Sequence, residues 1–187
     1  IYVIGKSKVV VVDTGVGNYA NSVWPQLEQL GVKEENVDGV VLTHAHHDHA
    51  SGVFIILERA EPRVYIHRLD ARYIASSLGP NLVRVDDGDK IQTELWPLEV
   101  LWTPGHTPGG ICLHARKERI LFSGDTVFPD GYYGRYDGET SREAIVRSLD
   151  RLRGLEAEIM LPGHGLPVYM DAKRHVQMAY QNAFRNA

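Results

Sequence analysis

The stretch Val37-Asp38-Gly39-Val40-Val41-Leu42-Thr43-His44-Ala45-His46-His47-Asp48-His49 decides the reading of this chain. Its first part, Val37–Thr43, is an apolar run of the buried-strand type. That strand runs straight into four histidines and one aspartate within six residues. Imidazole nitrogen suits borderline metals such as zinc, and aspartate adds a hard anionic oxygen. The order His-x-His-x-Asp-His cannot lie on one face of a flat strand, where side chains alternate between sides. It suits a strand end turning into a loop, whose curvature aims successive donors at two adjacent points.

Three later segments repeat the idea with one donor each. They are Thr103-Pro104-Gly105-His106-Thr107-Pro108-Gly109-Gly110, Ser123-Gly124-Asp125-Thr126 and Leu161-Pro162-Gly163-His164-Gly165. Glycines beside a His or Asp allow positive φ and close backbone approach, so a short side chain reaches inward. Three such turns, each after an expected strand, point to one shared site at a sheet edge.

Around these motifs the chain alternates strands with short helices. Strands are expected at Ile1–Ile4, Lys8–Val12, Arg63–His67, Leu98–Trp102, Gly110–His114, Arg119–Phe122 and Ile159–Leu161. Asp87-Gly88-Asp89 reads as a turn placing Val83–Val85 and Lys90–Thr93 on a hairpin. Helices are expected at Val23–Leu30 with Gly31 as stop, at Val53–Leu57, and at Asp70–Leu78 capped by Asp70. Thr140–Leu152 reads as an amphipathic helix with Ile145, Leu149 and Leu152 on one face, capped by Thr140 or Ser141, and Ala172–Phe184 as a terminal helix. Strands arriving in groups, with helices between, suggest an α+β chain of two sheets covered by helices.

Composition narrows the field. With 187 residues, 43% hydrophobic and 24% charged, a single domain over residues 1–187 is expected. A net charge of −4 with scattered Lys and Arg predicts neither a nucleic-acid nor an anionic-membrane partner. The single cysteine, Cys112, has no partner for an internal disulfide and reads as a small buried strand residue. No apolar stretch nears the ~18 residues of a membrane span and no signal peptide is visible, so a cytoplasmic setting is expected. The sequence opens directly on a strand, and the natural chain is expected to begin upstream of Ile1.

Taken together, the motifs resemble the metallo-β-lactamase-fold superfamily, and within it the branch of glyoxalase II-like hydrolases. The resemblance runs from Val11-Val12-Asp13-Thr14-Gly15 to Pro162-Gly163-His164-Gly165. It implies a four-layer αββα sandwich with the metal site at one edge of the two sheets. It also implies two divalent metal ions, zinc first, with iron or manganese as alternatives. His44, His46 and His106 would hold the first, Asp48, His49 and His164 the second, and Asp125 would bridge them. True β-lactamases of the fold generally lack that bridging aspartate. Only 38 residues separate Asp125 from His164, which excludes the inserted domain of the RNA-processing branches.

The implied chemistry is hydrolysis of a small ester-like substrate, a thioester, lactone or phosphodiester. Two ions about 3.5–4 Å apart share a water and lower its pKa toward 7, and the bridging hydroxide attacks. Asp48 and Asp125 are the candidate catalytic carboxylates, Asp48 as ligand first and proton carrier second. The loop from Phe128 to Asp137 is the candidate substrate contact. There Arg135 meets a carboxylate or phosphate and Tyr132 or Tyr133 a developing oxyanion, or else the aromatics pack the loop and Arg135 pairs with Asp137 or Glu139. His47 reads as solvent-facing or as a support behind the ligands. Asp13 either orients the histidine loop or is a plain turn residue, and His67, His114 and His175 read as structural or surface. The expected partner is a small molecule, with a homodimer left open. A competing reading is a mononuclear iron oxidoreductase of the persulfide dioxygenase type, using two histidines and Asp125.

Overall fold

Four consecutive valines set the first sheet. Val9–Val12 (β2) is β-branched throughout and buried at every position. In the computed structural model, which describes residues 1–18, 22–136 and 138–185, the chain falls into two compact units. The first comprises Ile1–Val85 with Gln92–Pro97, and the second Asp86–Ile91 with Leu98–Ala187.

The first unit is a five-stranded sheet in sequence order: β1 (Tyr2–Gly5), β2, β3 (Val37–Val41), β4 (Arg63–His67) and β5 (Leu82–Val85). β1 and β2 are antiparallel and the rest parallel. Its core joins alternate strand residues such as Val9, Val11, Val40, Val64 and Ile66 to the apolar sides of α1 (Val23–Gln29) and α3 (Gly52–Leu57). Gly31 does stop α1. With φ 76° it lets its own N–H reach Glu28 O (2.9 Å) and the Val32 N–H reach Leu27 O (3.0 Å), satisfying two end carbonyls. The remaining helices are short: α2 (His47–Ala50), α4 (Arg68–Ala71) and α5 (Ala75–Leu78).

The second unit orders its strands as β10 (Ile159–Pro162), β9 (Ile120–Gly124), β8 (Ile111–Ala115), β7 (Leu98–Trp102) and β6 (Lys90–Ile91). Only the β10–β9 pair is parallel. It follows that β7, β9 and β10 all run the same way and deliver their following turns to one edge. The sheet's core is closed by Ile145, Leu149 and Leu152 of α6 (Arg142–Arg153) and by Val176, Ala179 and Ala183 of α7 (Ala172–Arg185). Ser141 is the cap of α6, its hydroxyl accepting from Ala144 N–H at 3.3 Å. Cys112 lies fully buried in β8, and burial lifts its thiol pKa to about 11.

Two expectations fail. β5 does not form a hairpin across Asp87-Gly88-Asp89, because it pairs in parallel with β4. The turn itself forms, with φ 83° at Gly88, but Gly88 N–H bonds Val100 O (2.9 Å) and Val100 N–H bonds Asp89 O (2.8 Å), so its partner is β7. A dipeptide fixes the bend and says nothing about which strand receives it. The helix expected over Asp70–Leu78 is broken into α4 and α5. Its cap is His67, whose Nδ1 accepts from Leu69 N–H (3.3 Å), because the Asp70 carboxylate is fully buried and used elsewhere. Among the described residues no helix is long and apolar enough to cross a membrane.

Candidate metal centre

Parallel strands bring their C-terminal ends to one edge, and in the first unit that edge carries the histidine loop. β3 ends at Val41, Thr43 and His44 are buried, and the chain turns through Ala45 and His46 into α2, which bears Asp48 and His49. His44 offers a ring nitrogen within 4.8 Å of one on His46 and of one on His49, and an Asp48 oxygen lies equally near a His49 nitrogen. His47 points into solvent, its side chain 84% exposed, the first of the two places expected for it.

Asp13, at the end of β2, organises this loop. Its Oδ1 accepts from Thr43 N–H (2.8 Å), and its Oδ2 accepts from the Thr43 hydroxyl (2.8 Å) and lies 2.9 Å from His49 Nδ1. A carboxylate only accepts, so His49 Nδ1 carries a proton, and in the neutral ring Nε2 holds the lone pair. The Thr43 hydroxyl has given its one proton to Asp13. The His44 Nδ1 at 3.1 Å from it is therefore a donor as well, which leaves Nε2 of His44 as the basic nitrogen. One buried aspartate thus fixes the tautomer of two candidate ligands, a carboxylate–histidine pairing typical of metal sites. Asp13 does this from a left-handed backbone (φ 57°), a conformation that aspartate tolerates better than most residues.

Further bonds hold the loop from both sides. Thr14 donates from both its N–H (2.7 Å) and its hydroxyl (2.8 Å) to the His49 carbonyl. A Cβ on Gly52 would stand 2.0 Å from the Thr14 carbonyl oxygen, so that approach requires glycine. The buried Asp70 Oδ2 accepts from Ala45 N–H (3.1 Å), between the two histidines of the His-x-His pair. In sequence Asp70 reads as a helix cap; the one signal of its real role is a charge set between Leu69 and Ala71 just beyond a strand end.

In the second unit the three glycine-bounded turns follow β7, β9 and β10, as expected. His106 Nε2 and His164 Nε2 each stand 3.4 Å from the same atom, Oδ2 of the buried Asp125. This is long for a hydrogen bond. It matches the spacing of two donors on one ion, since ligands at about 2.0–2.2 Å across a tetrahedral angle lie about 3.3–3.6 Å apart. His106 Nδ1 meets the Arg135 carbonyl at 2.7 Å; a carbonyl only accepts, so Nδ1 is the donor and Nε2 the basic nitrogen. The donor chemistry therefore fits a divalent metal in both units: imidazole and carboxylate, with the tautomers of His44, His49 and His106 set by outer acceptors.

Backbone packing positions these residues. A Cβ on Gly134 would lie 2.0 Å from the Asp125 carbonyl oxygen and 2.9 Å from His106 Cβ, so the loop presses directly on both donors. Thr140 donates its hydroxyl to Gly105 O (2.5 Å) and Ser148 to Pro104 O (2.6 Å), pinning the His106 turn to α6. The loop itself is tied to α7: Asp130 N–H donates to His175 Nδ1 (2.8 Å) and Asn182 Nδ2 to Gly131 O (2.9 Å). His175 is structural in this sense, His67 caps α4, and His114 is buried with its pKa lowered by desolvation.

A hollow of about 670 Å³ opens on this half of the donor set. His106, Asp125 and His164 line it together with Phe128, Arg135 and Leu166, and Tyr132 and Tyr133 are part of its wall. Tyr133 is half-buried, pairs with Val127 and packs on the core, whereas Tyr132 is 70% exposed. The Arg135 side chain is exposed, and its proposed partner Asp137 lies outside the described residues.

The family model described as the metallo-beta-lactamase superfamily matches residues 1–164. A probable metallo-hydrolase of Bacillus subtilis, YflN, is 28% identical over 85% of this chain and 76% of its own length. The thioesterase pkgB of Emericella nidulans is 30% identical over 88% of this chain and 45% of its own. A hydroxyacylglutathione hydrolase of Aeromonas hydrophila is 35% identical over 73% of this chain and 51% of its own. The chain thus spans about half the length of these last two. Among solved structures, the metallo-beta-lactamase family protein TTHA1429 from Thermus thermophilus shares the fold, with a TM-score of 0.83, 23% identity, and coverage of 98% of this chain and 74% of that one. TTHA1623 in a di-iron-bound form has a TM-score of 0.71 and 26% identity, covering 89% and 87% respectively.

Proposed function

This chain belongs to the metallo-β-lactamase superfamily, and on that footing we propose that it is a dinuclear metal-dependent hydrolase of a small ester-like substrate. The observation that carries this reading is the approach of two imidazoles, His106 and His164, to one oxygen of Asp125. A carboxylate flanked in this way suits a bridge between two ions, one ion for each histidine. In this proposal His44, His46 and His106 hold one ion, Asp48, His49 and His164 the other, and Asp125 serves both. Zinc is the first candidate, while the di-iron form of a similar structure keeps iron in play. Such a pair supplies a water acidified toward neutrality and an electrophile for the substrate oxygen.

The chain's own residues do the rest. Asp13 and Thr43 place the ring proton of neutral His49 and His44 on Nδ1, so that Nε2 is the nitrogen offered to an ion, and the Arg135 carbonyl does the same for His106. Asp48, one-third exposed at its side chain, is open enough to water to pass on a proton as well as bind. Arg135 offers a guanidinium to an anionic group of the substrate, and Tyr132, exposed on the hollow's wall, offers its hydroxyl to a developing oxyanion. The thioesterase and the hydroxyacylglutathione hydrolase among its relatives favour a thioester ahead of a lactone or phosphodiester. A lone buried cysteine is compatible with a reducing, cytoplasmic setting.

The test is elemental analysis of the purified chain beside a panel of thioester, lactone, phosphodiester and β-lactam substrates. Two ions per chain and ester-type turnover are expected, and Asp125→Ala is expected to abolish hydrolysis and lower metal content. An Asp125→Ala protein with full activity and two metals would overturn the bridge. One iron per chain with oxygen uptake on a persulfide would replace the hydrolase with the iron oxidoreductase.

A further inference from the structure

Leu166 lies two residues past His164 and is 82% exposed, so the fold gains almost nothing from its being apolar. It lines the 670 Å³ hollow together with Phe128, whose ring centroid is 6.1 Å from that of His164, and with the exposed Tyr132. These three side chains give the hollow an apolar wall directly beside two candidate metal ligands. Its volume falls within the ~300–1,000 Å³ range of small-molecule sites. A polar acyl group would leave that wall wet, whereas an apolar chain would dry it and gain free energy in proportion to the area covered.

We propose that this wall seats the acyl side of the substrate, and that the chain prefers esters or thioesters of apolar, medium-length acyl groups over acetyl ones. The proposal rests on the hydrolase reading above for its turnover, but the seat itself is a binding property and is testable apart from it. Leu166 is the specificity-determining residue, because it lines the hollow and is not needed by the core. Phe128 supports it from the same loop system that carries Asp130 and Gly131 to α7.

The experiment uses thioesters sharing one leaving group, with acetyl, hexanoyl and decanoyl chains, on the native chain and on Leu166→Ser. Calorimetric titration with hexanoate and decanoate runs in parallel. We expect kcat/KM to rise with chain length, and Leu166→Ser to lower the decanoyl-to-acetyl ratio about tenfold, the low end of what covering one leucine side chain gives. Decanoate is expected to bind tighter than hexanoate, with the difference reduced in the variant. Chain-length independence in the native protein, or an equal loss at every length in Leu166→Ser, would overturn the proposal. So would a Leu166→Ser protein that changes its mass in solution while keeping the chain-length ratio, since the leucine would then serve a contact between copies. No turnover of any thioester, with decanoate binding still sensitive to Leu166→Ser, would overturn the hydrolase reading and support the seat.

Discussion

The candidate metal donors of the first unit are held chiefly by the buried carboxylates of Asp13 and Asp70, and those of the second chiefly by close backbone contact, with the Thr140 and Ser148 hydroxyls on the His106 turn. Asp13 alone contacts Thr43 twice and His49 once, all within 2.9 Å and all buried, and through Thr43 it reaches His44. Between His106 and His164 the shared carboxylate is Asp125 itself, 3.4 Å from Nε2 of each. Their turns are set by glycine and by carbonyl oxygens: Gly134 against Asp125, the Arg135 carbonyl on His106 Nδ1, and Gly163 N–H on the Gly124 carbonyl at 2.8 Å. In the first unit a side chain sets where ring protons sit; in the second a backbone carbonyl does so for His106, and glycine contact fixes where atoms can be. The two halves should therefore fail in different ways when altered.

The largest effect is expected in the first unit. Asp13→Ala strands Thr43 N–H and frees the His49 and His44 tautomers, which should cost tenfold to about a hundredfold in metal affinity. Stability should fall by several kcal/mol, at about 1–3 kcal/mol per stranded buried group. Chelator competition and thermal melting measure the two losses. An Asp13→Ala protein with native metal affinity would dissolve the contrast between the units. In the second unit the corresponding weak point is a glycine. Gly134→Ala would place a methyl 2.0 Å from the Asp125 carbonyl oxygen, and relief of that overlap should cost about 1–3 kcal/mol and displace His106. Unchanged melting of Gly134→Ala would show that the loop yields, and that the close approach does not position the donors.

Acid should separate the units more gently. Burial lowers the pKa of His114, in β8, below its ordinary 6.5. Between those two values the unfolded chain binds a proton that the folded chain does not, so stability falls as pH drops through 6.5. In the first unit Glu94 accepts from the Ser7 hydroxyl and from the Lys6, Ser7 and Lys8 amides, which hold its carboxyl near a pKa of about 2. Its contribution is complete above 4.5 and fades only as pH falls toward 2. Hydrogen exchange on acidification should therefore loosen β8 before the Lys6–Lys8 turn, and His114→Phe should remove the earlier phase. Loss of protection at Lys6–Lys8 first would reverse the order.

Much of this was legible beforehand. The run from His44 to His49 announced a donor cluster because no packing role needs four imidazoles and a carboxylate in six residues. The three later donors announced themselves through glycines, which serve close backbone approach wherever they occur. Other features were beyond local reading. Asp13 could be weighed only as an even alternative, since its value lies in a threonine 30 residues away and a histidine 36 away. Asp70 looked like a helix cap and is instead an acceptor for Ala45, and the Asp87-Gly88-Asp89 bend closes on β7 rather than joining β5 to β6.

The sequence by itself determined the donor types, their spacing and the strand ends that carry them, because these follow from side-chain chemistry and from local backbone freedom. Tertiary structure decided which nitrogen of His44, His49 and His106 is the donor, that Asp13 organises the histidine loop, and which glycine cannot be replaced. Those properties depend on acceptors brought within 3 Å by chain segments distant in sequence, and hydrogen bonding and overlap are too short-ranged for any single segment to reveal them.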